Sequence, residues 1–155
     1  MATTALATQW LEGVATQGFS SLMFEQEMED VELFWRMACG ARNIPMTRTR
    51  QGLLTRDEMS ALMMESQRLS RLPLWIEASG TADVHFIRAM VQEHKRRHAV
   101  RFVVVDYLQI LAATTNLAKV NQAEALGYMT RHLKQTARMC AVTIVLLSLV
   151  YCAGH

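Results

Sequence analysis

Several things are scarce in this sequence, and each scarcity excludes something. Charged residues make up only 19% and apolar residues 51%, so the chain can bury a core and is not of the disordered class. The formal net charge is +2, too small for composition alone to argue for nucleic-acid binding. There are three cysteines, Cys39, Cys140 and Cys152, and no CxxC pair. That argues against a disulfide or zinc framework and predicts reduced, buried thiols in a cytoplasmic protein. His85, His94 and His98 fall near helical spacing, but no carboxylate or cysteine completes a set of zinc ligands. The opening MATTALATQW lacks the basic flank and apolar core of a signal peptide. The most apolar stretch, residues 141–153, falls short of the roughly 20 residues needed to span a bilayer, so no membrane partner is expected. The length, 155 residues, suits one domain over 1–155.

What is present is an alternation of two periods. Helices are expected over residues 3–17, with Leu6, Trp10 and Val14 on one face, and over 29–41, capped by Asp30, with Val31, Phe34, Trp35 and Ala38 together. Residues 41–52 hold Asn43, Pro45 and Gly52 and read as a connector. Thr55 with Glu58 three residues on makes a capping box. A further helix should be capped by Thr81 and point Val84, Ile87, Met90, Val91 and His94 inward. The longest should run over 122–140, with Leu126, Met129, Leu133 and Ala137 on one side. Strands are expected over 20–25, 74–79, 102–106 and 142–150. Such alternation implies an α/β fold with a mostly parallel sheet and helices on both faces. The continuous apolar runs around Asp106 and Ile144 should form its buried centre.

Asp106 ends one of those runs, in FVVVDYLQIL. Ligands in open α/β sheets sit outside the carboxyl ends of the strands. An acid there can hold the water shell of a magnesium ion, as in phosphate-loop NTPases. On pattern alone a structural or capping aspartate fits equally well. The residues after it, Tyr107-Leu108-Gln109, are not required by strand physics.

Three spaced motifs carry a resemblance. Asp106-Tyr107-Leu108-Gln109-Ile110 is similar to a Walker B segment written DYLQL. Phe24-Glu25-Gln26-Glu27-Met28 is similar to a strand end written FSLEM. Asn121 to Ala137 lines up without a gap on NxxxxxxxxSRxLKxLA, keeping Arg131, Leu133, Lys134 and Ala137, with Thr130 for the serine. Together they resemble the RecA-like ATPase domain of DnaB-type replicative helicases, over about residues 3–148. The resemblance implies ATP and magnesium as cofactors, single-stranded DNA as partner, and assembly with helicase subunits as a homo-hexamer. It implies that Asp106 orients magnesium through water and that Thr3 is a hydroxyl ligand. Glu27 would act as general base on the attacking water. Read without the family, Glu27 is an acid in a helix's first turn. Gln109 and Lys119 would lie near the DNA.

The departures are equally specific. MATTALA resembles the tail of GKTTLALA, with Met1-Ala2 where Gly-Lys would stand. Ser148 is followed by Leu149 where the family has Ser-Gln. The expectation is a RecA-like domain truncated at both ends, without its first strand and phosphate loop, and inactive alone. The basic stripe Arg131, Lys134 and Arg138 reads as a solvated face. The rival readings are another RecA-like ATPase, of the recombination or circadian-clock type, and a non-enzymatic protein that binds a helicase.

Overall fold

Val103, Val104 and Val105 are all completely buried, and the reason is topological. The computed structural model describes residues 2–79, 82–106 and 121–148, apart from the side chains of Ala2, Thr3 and Gln122. The elements are α1 (Ala2–Thr16), β1 (Ser21–Glu25), α2 (Asp30–Ala41), α3 (Met46–Arg50), α4 (Arg56–Leu69), β2 (Leu74–Ala78), α5 (Val84–His98), β3 (Phe102–Asp106), α6 (Gln122–Cys140) and β4 (Thr143–Leu146). The strands form one sheet in the order β2-β1-β3-β4, and every pairing is parallel. β1 and β3 are therefore central and need apolar residues on both faces.

Successive strand residues face opposite sides, and the packing follows that alternation. Leu22, Phe24, Val103 and Val105 meet α5 and α6 through Ile87, Val91, Met129 and Leu133. Met23 and Val104 pack on the other face against Ala7 and Leu11 of α1 and Leu33 of α2. A third cluster, including Met37, Ala38, Leu62 and Leu69, joins α2 to α4. The result is the α/β arrangement, with helices on both faces of a parallel sheet, that the alternation implies.

Several local expectations are corrected. In α1 the buried face is Ala7, Leu11 and Ala15, while Leu6 and Trp10 are exposed. Small side chains let the helix lie close on the sheet, and this outweighs the hydrophobicity of the Leu6–Trp10 stripe. In α2, Leu33, Met37, Ala38 and Cys39 are buried and Val31 points outward. Asp30 does not cap α2. The N-cap is Glu29, without a side-chain bond, and Asp30 Oδ1 accepts from the next backbone N–H. The connector contains a helical turn, α3, which buries no residue and so carries no apolar period to read. α5 is capped by Asp83, which accepts from the Phe86 N–H at 2.7 Å, not by Thr81. β4 pairs only with β3 among the described residues, so it is not central, and Ile144 is half-buried.

Other expectations hold. The Thr55–Glu58 capping box is formed, and β3 and α6 have the expected bounds. Cys39 and Cys140 are buried free thiols, while Cys152 lies outside the described residues. No helix among the described residues is long and apolar enough to cross a membrane.

Candidate functional site

β1 and β3 run side by side in phase, so that Glu25 pairs with Asp106 at their carboxyl ends. Residues paired across a parallel ladder share a face. Both carboxylates therefore stand on the α1 side of the sheet, two residues beyond Met23 and Val104. The Gln26 N–H donates to the Asp106 carbonyl at 3.2 Å and extends the ladder past the strand end. Glu25 is 1% exposed and Asp106 4%. Neighbouring strands lie about 4.8 Å apart. Two ionised carboxylates at about that separation repel by roughly 3 kcal/mol at an effective dielectric of about 20.

Part of Glu25 is satisfied by backbone. Its Oε1 accepts the N–H groups of Glu27 at 2.8 Å and Met28 at 3.2 Å. Its Oε2 is buried without a partner, as are Asp106 Oδ2 and both polar side-chain atoms of Gln26. No basic side chain pairs with either carboxylate among the described residues. Burial pushes the Glu25 carboxyl above its ordinary range; the Glu27 N–H opposes this and the charge of Asp106 adds to it. Burial likewise raises Asp106, opposed by a hydrogen bond from the Thr4 hydroxyl and by the positive charge of the chain's amino terminus, and reinforced by the charge of Glu27. The tip is a buried pair of acids beside the first turn of α1.

Asp106 thus closes a central strand. Glu27 lies two residues past β1, on an exposed turn, near enough for its charge to act on Asp106. The Thr3 side chain, Gln109 and Lys119 lie outside the described residues. Two residues at the tip are not singled out by sequence reasoning. Glu25 has the same signal as Asp106, an acid closing an apolar run. Thr4 adjoins Thr3, and only tertiary structure shows its bond to Asp106. A groove of about 710 Å³ between α1 and α2 reaches this tip only at Thr4. The histidines of α5 make packing contacts elsewhere: His94 Nε2 is 3.1 Å from Glu77 Oε1, and His98 stacks on Trp75.

The sequence profile of the family described as "DnaB-like helicase C terminal domain" matches residues 1–151. The chain belongs to that family. It is 30% identical over 146 residues to "Replicative DNA helicase DnaB" of Geobacillus stearothermophilus, covering 94% of this chain and 32% of the relative. The figures are the same for "Replicative DNA helicase DnaC" of Bacillus subtilis. The chain therefore spans about a third of the length of these DnaB-like relatives. A solved structure titled "The Structure Of A DnaB-Like Replicative Helicase And Its Interactions With Primase" superposes with a TM-score of 0.85 at 21% identity, over 94% of this chain and 35% of that one. At that identity the likeness shows the fold, which is the RecA-like one.

The family carries nucleotide use, and the motif resemblance carries the expectation of magnesium, so the tip residues can be tested against both. Magnesium takes hard oxygen donors, usually one or two carboxylates with water and phosphate oxygens completing the shell. Two unpartnered carboxylate oxygens beside a threonine hydroxyl fit that donor set. No group of three His, Cys, Asp or Glu residues is gathered to hold a metal among the described residues, so water would supply the remaining ligands. A nucleotide's phosphates find less, since the 155 residues contain no Gly-Lys pair.

Proposed function

We propose that this chain is a segment of a replicative helicase ATPase domain, and that the whole protein couples ATP hydrolysis to unwinding of duplex DNA as a hexameric ring. The observation that carries the reading is the adjacency of the β1 and β3 tips in a DnaB-like chain, which brings Glu27 and Asp106 to one end of the sheet. Asp106 holds the water shell of the nucleotide's magnesium, with Thr3 as a hydroxyl ligand. Glu27 takes the proton of the attacking water. When bound, magnesium supplies neutralisation of the phosphate charge. Gln109 and Lys119 face single-stranded DNA in the ring's channel. The motif match and the strand order support these assignments.

Taken alone, the chain should not turn over. Phosphoryl transfer is catalysed almost entirely by positioning and charge stabilisation, and an arginine finger from a neighbouring subunit contributes on the order of 10³–10⁵ in rate. An isolated chain has no neighbour, and no Gly-Lys pair is present to cradle the phosphates. A second reading is a non-hydrolysing protein that associates with a helicase ring.

Binding of MgATP and ATP turnover, measured on the chain alone and mixed with an intact hexameric replicative helicase, test both. No turnover alone and a reduced rate per mixed ring are expected. Turnover alone at the rate of the intact ring overturns the inactivity. Association with the ring without MgATP binding selects the second reading. Absence of association with ring, MgATP and single-stranded DNA overturns the helicase assignment.

A further inference from the structure

We propose that Glu25 is a second carboxylate of the divalent-cation site, so that Glu25 and Asp106 together seat magnesium at the β1–β3 tips even without nucleotide. The inference rests on the reading of Asp106 given above and adds a residue to it. The motif FSLEM has serine at the position that Glu25 takes in this chain.

Three observations carry the proposal. Glu25 and Asp106 are register partners on one face of the sheet, at the end where ligands of α/β sheets collect. They are 1% and 4% exposed, and each keeps one oxygen buried and unpartnered, Oε2 of Glu25 and Oδ2 of Asp106. No arginine, lysine or histidine side chain answers them among the described residues. Elsewhere in the chain a buried acid is answered: Glu65, 3% exposed, accepts from both Arg42 and Arg68. A buried carboxylate that lacks a partner is costly, and two side by side are more so. A divalent cation with its water shell removes both deficits at once, because it neutralises the charges and occupies the free oxygens.

The Glu25 Oε1 atom is already engaged by the Glu27 and Met28 N–H groups. It leaves Oε2 as the oxygen for the ion and ties the site to the turn that carries Glu27.

The test uses the full 155-residue chain without nucleotide. Mn²⁺ binding is followed by electron paramagnetic resonance. Thermal unfolding is compared in Mg²⁺ and in EDTA at matched ionic strength. One Mn²⁺ per chain and a Mg²⁺-dependent rise in Tm are expected. Glu25→Gln and Glu25→Ser should each weaken Mn²⁺ binding about tenfold or more, because they remove one of two charged ligands. Asp57→Asn, which removes an exposed carboxylate from the first turn of α4, away from the strand tips, should change it by no more than about twofold. Glu25→Gln, which keeps a carbonyl acceptor, should unfold in EDTA no lower than the parent, and Glu25→Ser, which gives up the bonds to the Glu27 and Met28 N–H groups, should unfold lower but still in one cooperative transition, which shows that both fold.

Several results would overturn the proposal. One is absence of Mn²⁺ binding in the parent chain, with Glu25→Gln merely raising Tm, which would mean that the pair shares a proton. Another is Mn²⁺ binding unchanged in Glu25→Gln but lost in Asp106→Asn, which would remove Glu25 and leave the Asp106 reading standing. Mn²⁺ binding lost in Glu25→Gln but kept in Asp106→Asn would instead remove the Asp106 reading and the shared seat with it.

Discussion

Glu25 holds the backbone of Glu27: its Oε1 accepts the Glu27 N–H at 2.8 Å and the following Met28 N–H at 3.2 Å. One strand-end carboxylate thereby fixes the turn that presents the proposed base. Hydrogen bonds to a charged acceptor contribute about 1.5–3 kcal/mol. Glu25→Ala should therefore speed amide exchange at Glu27 and Met28 by about tenfold or more, while Glu25→Gln, which keeps a carbonyl acceptor, should lie nearer the parent. Hydrogen exchange read by NMR in metal-free buffer makes the comparison. Unchanged exchange in Glu25→Ala would show that the turn supports itself.

The α4 capping box gives a prediction of stability. Thr55 accepts from the Glu58 N–H, and the Glu58 side chain accepts from the Thr55 N–H at 2.8 Å. Removing a threonine cap costs about 1 kcal/mol. At this chain length that corresponds to roughly 2–4 °C in Tm. Thr55→Ala should show that loss in calorimetry, and Thr55→Ser should recover most of it. A Thr55→Ala protein as stable as the parent would mean that α4 is held by its packing on α2 and not by its start.

Much of the fold was legible because it is written in local periods. β3 and α6 follow from a valine run and from a regular apolar stripe between Asn121 and Ala141, and their bounds are those observed. Where the reading failed, tertiary contact decided. Leu6 and Trp10 form the more hydrophobic stripe of α1, yet Ala7, Leu11 and Ala15 face the sheet because they permit close approach. The capping of α5 by Asp83 rather than Thr81 is a choice between two adequate caps that the sequence leaves open. At the site, Asp106 was visible from its pattern. Glu25 was not singled out, because its meaning depends on register. Only the pairing of residues 81 positions apart shows that a second acid stands beside the first.

Arg68 ties α4 to α1, and Glu65 beside it ties α4 to the end of α2. It donates through Nε to Glu65 Oε1 at 2.7 Å and through its terminal nitrogen to Glu12 of α1. Arg42, the C-cap of α2, donates to the other Glu65 oxygen at 2.9 Å. The Glu65 side chain is 4% exposed, whereas the arginines are 39% and 40% exposed. The cost of losing an arginine thus falls on the buried acid it leaves behind. Arg68→Ala should destabilise by about 1.5–3 kcal/mol, towards the lower figure because solvent reaches the vacated side. Arg42→Ala, which removes contacts to one acid only, should cost less. Urea denaturation of the two variants checks the order, and a larger loss for Arg42→Ala would contradict it.

The same two classes of carboxylate set the dependence of stability on pH. Glu65 is held below its ordinary 4.5, first by the Arg68 hydrogen bond. Its stabilisation is fully present above that value and is lost as pH falls through the lowered one. Glu25 and Asp106 are shifted the other way, by burial first, from ordinary values of 4.5 and 3.8. The folded chain keeps their protons to higher pH than the unfolded chain does. Between the ordinary and the raised values it therefore binds more protons, and stability falls as pH rises through that window. In EDTA, this pair's contribution to Tm should be greatest at and below the ordinary carboxylate values and decline as pH rises through the raised ones. Glu25→Gln removes one ionisation and with it the whole Glu25–Asp106 repulsion, so its decline should be shallower. Magnesium should flatten the parent's decline and leave that of Glu25→Gln nearly as it was. A parent Tm that climbs steadily from about pH 5 to pH 7, unaltered by Glu25→Gln, would mean that the two tip carboxylates ionise without cost. The electrostatic account of the pair would then be wrong even if the helicase assignment stands.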